Sequence, residues 1–286
     1  MPRDFDPRTT VVSDDLVAAN LADRYPRPRA VEGVRHWVVE ASLPLTFAPA
    51  GDARLESELL FGEPFTVYDE ADGWAWGQSD HDDYVGYVPA AGLTNDLAWP
   101  VHVVAVAASH LYPAPDLKRR PCDRFSLGSL VSVLGEQNGF AEIDGGGWLF
   151  ARHLVPADDF EPNYIATARR FLGVPYLWGG RSSAGLDCSA LVQLALQRAG
   201  IAAPRDSDMQ AVELGEPLPP PFDPAVWQRG DLVFFPGHAG IVTEGGRFLH
   251  ANARWMAVVE EPLADVLARA AAAGAGVSAV RRLALQ

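Results

Sequence analysis

Cys188 is the residue whose surroundings first suggest chemistry. It follows a glycine-rich turn, Trp178-Gly179-Gly180…Gly185, and opens the run Asp187-Cys188-Ser189-Ala190-Leu191-Val192. After it, Leu191, Val192 and Ala195 recur at the helix period. Asp187 suits an N-cap and Gly200 the left-handed position that closes a helix. Cys188 is therefore placed in the first turn of an amphipathic helix. Unpaired backbone N–H groups and the helix dipole favour a thiolate there, and a thiolate is a nucleophile.

A thiol nucleophile needs a base, and the base needs an orienting partner. Of the seven histidines, His36 and His153 lie beside linkers, and His81, His102 and His110 fall in strand-rich segments far upstream. His238 and His250 follow Cys188 in the same region, in Phe235-Pro236-Gly237-His238-Ala239-Gly240-Ile241-Val242 and Phe248-Leu249-His250-Ala251. The intervening Thr243-Glu244-Gly245-Gly246-Arg247 reads as a hairpin turn. This puts the two histidines on neighbouring antiparallel strands, where one imidazole can orient the other. The expectation is a thiolate–imidazolium pair of Cys188 with His238, and His250 on the second ring nitrogen. Taken singly, such a cysteine is most often a small buried hydrophobe, and a strand histidine is most often structural. One Cys and two His lack the paired spacing of a zinc site, and neither a metal nor a cofactor is expected.

The elements that must position these residues form an α+β domain, residues 158–286. A helix is predicted over Tyr164–Leu172, closed by Gly173 with Pro175 beyond. The Cys188 helix follows, then a rigid extended segment, Glu216–Pro224. Strand-like runs come next at 231–235, 239–243, 247–251 and 256–259, then a helix over 263–273 and a last strand at 279–283. Upstream, residues 36–97 alternate in period two between turn signals, with Asp72-Gly73 as a hairpin turn. Residues 98–157 repeat the order: Phe61-Gly62-Glu63-Pro64-Phe65 and an Asp-Gly-Trp turn correspond to Leu127-Gly128-Ser129-Leu130-Val131 and Asn138-Gly139-Phe140. This predicts two tandem copies of one small all-β barrel. Residues 1–35 read as an extended arm packed on something larger, with a short helix over Asp14–Leu21.

At 286 residues the chain is long for one core. Its 48% hydrophobic and 21% charged residues are ordinary for a globular protein. The formal net charge of -14 argues against nucleic acid and anionic membrane surfaces, which need basic faces, and permits an amine-bearing ligand. Two cysteines make no disulfide framework, and Cys122 is read as a free, buried thiol. Without an apolar leader or a membrane-length apolar run, the expectation is a cytoplasmic monomer.

Tyr176-x-Trp178-Gly179-Gly180, the Asp187–Val192 run, Arg205-Asp206-Ser207-x-x-Gln210, Gly230-Asp231-Leu232-Val233-Phe234-Phe235 and His238-Ala239-Gly240-Ile241-Val242…His250-Ala251 together resemble the NlpC-type cysteine peptidases, papain-like enzymes that cut bacterial cell-wall peptides. The two predicted small barrels resemble the bacterial SH3-like type. Their position ahead of such a domain resembles the γ-D-glutamyl-L-diamino-acid endopeptidases, which cut after D-Glu in L-Ala-γ-D-Glu-diamino-acid peptides with a free N-terminus. The resemblance implies that Cys188 attacks the γ-glutamyl carbonyl, His238 carries the proton and His250 orients His238. Tyr176 donates to the oxyanion. Asp187, Ser189, Asp206 and Ser207 line the site, although N-cap and loop-cap roles would also account for Asp187, Asp206 and Ser207. Tyr84 and Glu58, with Glu56 nearly as good a match, would wall off the site from the first barrel and bind the amine. The segment from Asp52 through Asp83 carries ten acidic residues against Arg54 alone, in keeping with a cationic ligand. The implied function is cell-wall peptide recycling. Alternatives are an exported endopeptidase acting on intact peptidoglycan, or a non-catalytic protein that binds cell-wall peptides.

Overall fold

The computed structural model describes residues 4–283, so the first three residues of the expected arm lie outside the described residues. The chain forms two compact units that divide after Ala157.

In the first unit, β1 (Leu16–Ala18) pairs in parallel with β2 (Arg29–Val31). The helix expected over Asp14–Leu21 is replaced by β1 and one 3-10 turn, Ala19–Leu21. So short a helix makes too few backbone bonds to offset its nucleation. The extended chain instead buries Val12 and Val17 with Tyr25. The arm packs on the sheet that follows it: Val85 N–H donates to the Arg8 carbonyl (2.7 Å), Gln78 Nε2 donates to the Thr9 carbonyl (3.0 Å), and Arg29 pairs with Asp69 (2.8 Å).

Seven antiparallel strands follow: β3 (Val34–Val38), β4 (Ser42–Thr46), β5 (Leu55–Leu60), β6 (Pro64–Ala71), β7 (Trp74–Ser79), β8 (Val85–Pro89) and β9 (Leu93–Thr94). They lie in the order β5-β4-β8-β7-β6-β3-β9. Alternate residues turn inward to a core that includes Val38, Leu45, Leu59, Phe65 and Val88. The β6–β7 hairpin turns at Asp72-Gly73, both at positive φ (51° and 80°), the geometry that matches strand twist.

The next strands are β10 (His102–Val104), β11 (Ala108–Leu111), β12 (Asp123–Ser126), β13 (Leu130–Val131), β14 (Val133–Gln137), β15 (Phe140–Ile143), β16 (Trp148–Phe150) and β17 (Leu154–Pro156). They form three short sheets, β13-β10-β17, β11-β12 and β14-β15-β16. Asn138-Gly139 repeats the positive-φ turn (51° and 79°) between β14 and β15. This assembly does not close over its own residues alone. Phe61 of the preceding segment enters its core and stacks on Phe125 with ring centroids 4.5 Å apart. Cys122, expected to be buried, is exposed; its Sγ lies 3.3 Å from the Leu111 carbonyl at the end of the short β11–β12 pair.

The second unit contains α1 (Tyr164–Arg169), β18 (Arg181–Ser182), β19 (Gly185–Leu186), α2 (Cys188–Arg198), α3 (Ser207–Glu213), β20 (Glu216–Pro217), β21 (Leu232–Phe235), β22 (His238–Thr243), β23 (Arg247–Asn252), β24 (Ala257–Pro262), α4 (Leu263–Ala272) and β25 (Ala279–Arg282). Its antiparallel sheet runs β20-β25-β21-β22-β23-β24. The Glu216–Pro224 segment begins as an edge strand; Pro217 is tolerated there because an edge leaves ladder positions unused. α2, expected to be amphipathic, is buried on nearly every side. Two of its polar side chains bond to nearby carbonyls: Gln193 Nε2 donates to the Ala203 carbonyl (3.1 Å) and Arg198 to the Asp159 carbonyl (2.8 Å). No helix among the described residues is long and apolar enough to cross a membrane.

Candidate active site

Asp187 has extended backbone (φ -94°, ψ -178°) and starts α2, with Oδ1 accepting from the Ala190 N–H at 2.8 Å. Cys188 is thus the first helical residue, 6% exposed. Its sulfur receives the backbone N–H groups of Ala239 and Ser189. Ala239 is the second residue of β22, so the start of that strand lies directly against the start of α2. His238, the first residue of β22, is brought to the same place by this contact.

His238 Nε2 lies 2.8 Å from His250 Nδ1. β22 and β23 are neighbouring antiparallel strands, and the turn through Gly245 and Gly246, both at positive φ, sets their register. The expected His–His contact is therefore present, and it leaves Nδ1 as the His238 nitrogen available to the thiol. His250 is 2% exposed, and its Nε2 lies 3.0 Å from Glu261 Oε1 and 2.9 Å from Asn252 Nδ2.

Burial opposes charge on both partners. It pushes the Cys188 thiol up to about 12, with the Asp187 charge adding to the rise, against the Ala239 and Ser189 N–H groups and Arg205, which lower it. Burial, then His250, pulls His238 down to about 3. Burial therefore works against the expected thiolate–imidazolium pair, while the helix start and Arg205 work for the thiolate. The helix-terminus effect is real but smaller than the desolvation of a nearly enclosed sulfur.

Tyr176 sits in the loop before β18 and is tied down by its backbone: its N–H donates to the Met256 carbonyl (2.9 Å), and it bridges Leu186. Burial, then the Cys188 and Asp187 charges, pushes its phenol up to about 12. It remains a proton donor near the sulfur across the working pH range.

Asp187 does more than cap. Arg205, 1% exposed, donates Nη1 to Oδ1 (3.0 Å) and Nη2 to Oδ2 (2.7 Å), while the Gly179 N–H donates to Oδ2 (3.0 Å). Ser189 Oγ donates to Asp187 Oδ1 (3.1 Å) and accepts from Arg205 Nη1 (2.9 Å). Asp187 and Ser189 therefore belong to one buried network that joins the glycine loop, the helix start and the segment before α3. Asp206 is the N-cap residue of α3 without a side-chain capping bond, and Ser207 is its first residue. Tyr84 and Glu58 belong to the first unit. Tyr84 is 3% exposed with its ring in the apolar core there, and Glu58 lies on β5 opposite Pro44. Glu56 is held by Arg54 (2.6 Å).

Sequence reasoning did not single out Arg205, Asn252, Glu261 or Arg269. Arg205 was visible only as part of a motif. Glu261 and Arg269 come together with His250 through the register of β24 on β23 and the path of α4, which local patterns do not encode.

A cysteine at the start of a buried helix, facing an antiparallel sheet that carries a linked pair of histidines, defines a papain-like cysteine peptidase. The chain belongs to the NlpC/P60 family. The family model, described as NlpC/P60 family, matches residues 173–270, and a model described as bacterial dipeptidyl-peptidase Sh3 domain matches residues 45–93. Dipeptidyl-peptidase 6 of Lysinibacillus sphaericus is 35% identical over 227 residues, 70% of this chain and 81% of that protein. The gamma-D-glutamyl-L-lysine dipeptidyl-peptidase of Bacillus subtilis is 26% identical over 247 residues, 76% and 79% of the two chains. A crystal structure of an NlpC/P60 family protein from Bacillus cereus superposes with a TM-score of 0.71 at 21% identity, covering 87% of this chain and 99% of that one, which speaks to the fold. The seven-stranded assembly is thus an SH3-like domain, and the second unit a cysteine peptidase domain.

Proposed function

We propose that the protein hydrolyses the γ-D-glutamyl–diamino-acid bond of murein stem peptides that carry a free N-terminal L-Ala. The observation that carries the proposal is the Cys188 sulfur facing the N-terminus of β22, with His238 linked to His250 at 2.8 Å. The bond choice is supported by the relatives named gamma-D-glutamyl-L-lysine dipeptidyl-peptidase.

In this reading Cys188 Sγ attacks the γ-carbonyl while its proton passes to His238 Nδ1. The oxyanion is met by the Tyr176 hydroxyl and the N–H at the helix start. Collapse of the intermediate breaks the C–N bond, and His238 returns the proton to the departing amine. Water then hydrolyses the thioester by the same base. Asp187 and Ser189 shape the floor through the Arg205 network, and Asp206 and Ser207 contact the L-Ala-γ-D-Glu portion. Recognition of the free amine calls for an acidic partner, since an unpaired buried ammonium would be costly enough to exclude N-blocked peptides; Glu58 is the residue the family resemblance offers for it, whereas Tyr84 has its ring in the apolar core of the first unit. The second β-assembly is read as a second SH3-like barrel. We place the activity in the cytoplasm, in the recycling of released peptides by a monomeric enzyme.

The test is release of the diamino acid portion from L-Ala-γ-D-Glu-diaminopimelate and its L-Lys counterpart by wild type and Cys188→Ala. Equal rates would remove the proposal. Glu58→Gln is expected to raise KM for the free-amine peptide with kcat retained, and equal cutting of N-acetylated peptide would overturn the amine-recognition role. Cell fractionation tests the location.

A further inference from the structure

His250 meets two neighbours at the same nitrogen, and they require opposite things of it. Glu261 Oε1 lies 3.0 Å and Asn252 Nδ2 2.9 Å from Nε2. A neutral imidazole has one N–H. An ionised carboxylate can only accept, so Glu261 calls for the proton on Nε2. The Asn252 amide nitrogen can only donate, so it calls for a lone pair there. The amide is not free to turn round, because its Oδ1 accepts the Trp255 N–H at 3.0 Å. The choice between these tautomers decides the chemistry. With its proton on Nε2, His250 Nδ1 accepts from His238 Nε2–H at 2.8 Å, and His238 Nδ1 is a lone pair. With its proton on Nδ1, His250 donates to His238 Nε2, and His238 must carry its own proton on Nδ1, where it can accept nothing from the thiol.

The charged partner wins. A hydrogen bond to a carboxylate is stronger than one from a neutral amide. The alternative would set a carboxylate against an imidazole lone pair in a buried site, where repulsion is poorly screened. Arg269, from α4, donates to Glu261 Oε1 at 2.5 Å and keeps it ionised and fixed in place. The alternation of β24 separates this from the adjacent carboxylate: Glu260 is engaged by Arg169 (2.8 Å) and Thr243 (2.5 Å). The charged and titratable groups around His250 are then His238 from β22, Glu261 from β24 and Arg269 from α4, with neutral Asn252 on β23 itself.

We propose that Glu261, clamped by Arg269, is a positioning residue of the catalytic relay: it holds the His250 proton on Nε2, which sets His238 to receive the Cys188 proton on Nδ1. When His238 becomes imidazolium, its Nε2–H remains on His250 and the Glu261 charge lies behind the pair to balance it.

The test uses the full-length protein and needs no substrate, so its outcome is separate from which peptide bond is cut. Nitrogen-15 NMR of the histidine rings should find His250 protonated on Nε2 and His238 on Nε2 in wild type. In Glu261→Gln a proton is expected to appear on His250 Nδ1. Alkylation of Cys188 by iodoacetamide at neutral pH, read by peptide mapping so that Cys122 is an internal control, should slow by about 10²-fold, the scale of losing a positioned base. Arg269→Gln should give a smaller fall of the same kind, and its pH profile of alkylation should shift with it. Finding His250 protonated on Nδ1 in wild type overturns the proposal whether or not a variant folds. So does a folded Glu261→Gln protein that keeps wild-type tautomers and alkylation rate.

Discussion

Arg205 grips Asp187 through two hydrogen bonds of 2.7 and 3.0 Å, and Asp187 in turn begins the helix whose first residue is Cys188. The nucleophile is thus positioned by a buried ion pair that fixes the start of its helix. The guanidinium is satisfied by carboxylate and hydroxyl oxygens together, the condition under which a buried pair is tolerated.

Removing the cation should leave the Asp187 charge buried and uncompensated. Arg205→Met is expected to destabilise the second unit by about 3–5 kcal/mol, the usual cost of breaking a buried pair from one side. Asp187→Asn keeps the capping oxygen but leaves the Arg205 charge buried and turns an amide NH2 toward the Arg205 and Gly179 donors, so it should be destabilising on the same scale. Urea unfolding followed by tryptophan fluorescence measures both; a loss below 1 kcal/mol for Arg205→Met would contradict the role.

Tyr176→Phe deletes one hydroxyl and little volume. If that hydroxyl meets the oxyanion, kcat should fall by about 10²–10³-fold, with KM and unfolding midpoint near wild type. A change confined to KM would assign it to ground-state binding instead.

Acid should destabilise the fold through His238. Its folded value is pulled down to about 3 from an ordinary 6.5, so between those values the unfolded chain binds a proton that the folded one refuses. The associated stability is present above about pH 6.5 and lost as pH falls toward 3. Glu244, Glu260 and Glu261, held low by their arginine partners, add losses of the same sign below their ordinary range. Glu244 and Glu261 owe this to Arg229 and Arg269, the latter against burial. The His238 share is the part that disappears in His238→Gln, measured by urea unfolding at pH 7 and pH 4.

At the other end of the scale, Gly62 is required where the chain of the first sheet meets the second β-assembly. Its φ is +75°, and a Cβ there would sit 2.0 Å from the Leu130 carbonyl oxygen. Gly62→Ala should destabilise the first unit by more than about 1 kcal/mol, since the backbone strain and the clash act together. Thermal unfolding of the full chain reads this, and an unchanged first transition would refute it.

Some of this architecture was legible residue by residue. The helix of Cys188, its Asp187 cap and its Gly200 stop are local events, decided within about four residues by backbone bonding and φ preference. The strand pair bearing His238 and His250 was equally readable, because apolar runs flanking a glycine turn leave one sensible pairing. The failures were also physical. Over a stretch as short as Asp14–Leu21 the apolar pattern does not distinguish helix from strand when burial, as at Val17, comes from packing with a residue outside it, Tyr25. Nor does composition reveal that Phe61 belongs to a core built by later residues.

By itself the sequence determined the local elements that hold Cys188, His238 and His250, because caps, turns and periodicity act over a few residues. Only the tertiary structure decided their state. Enclosure of the sulfur raises its thiol against the pull of the helix start. The register of β24 brings Glu261 to His250, and α4 brings Arg269 to Glu261. Desolvation and strand register are sums over distant parts of the chain, so no local pattern of residues contains them.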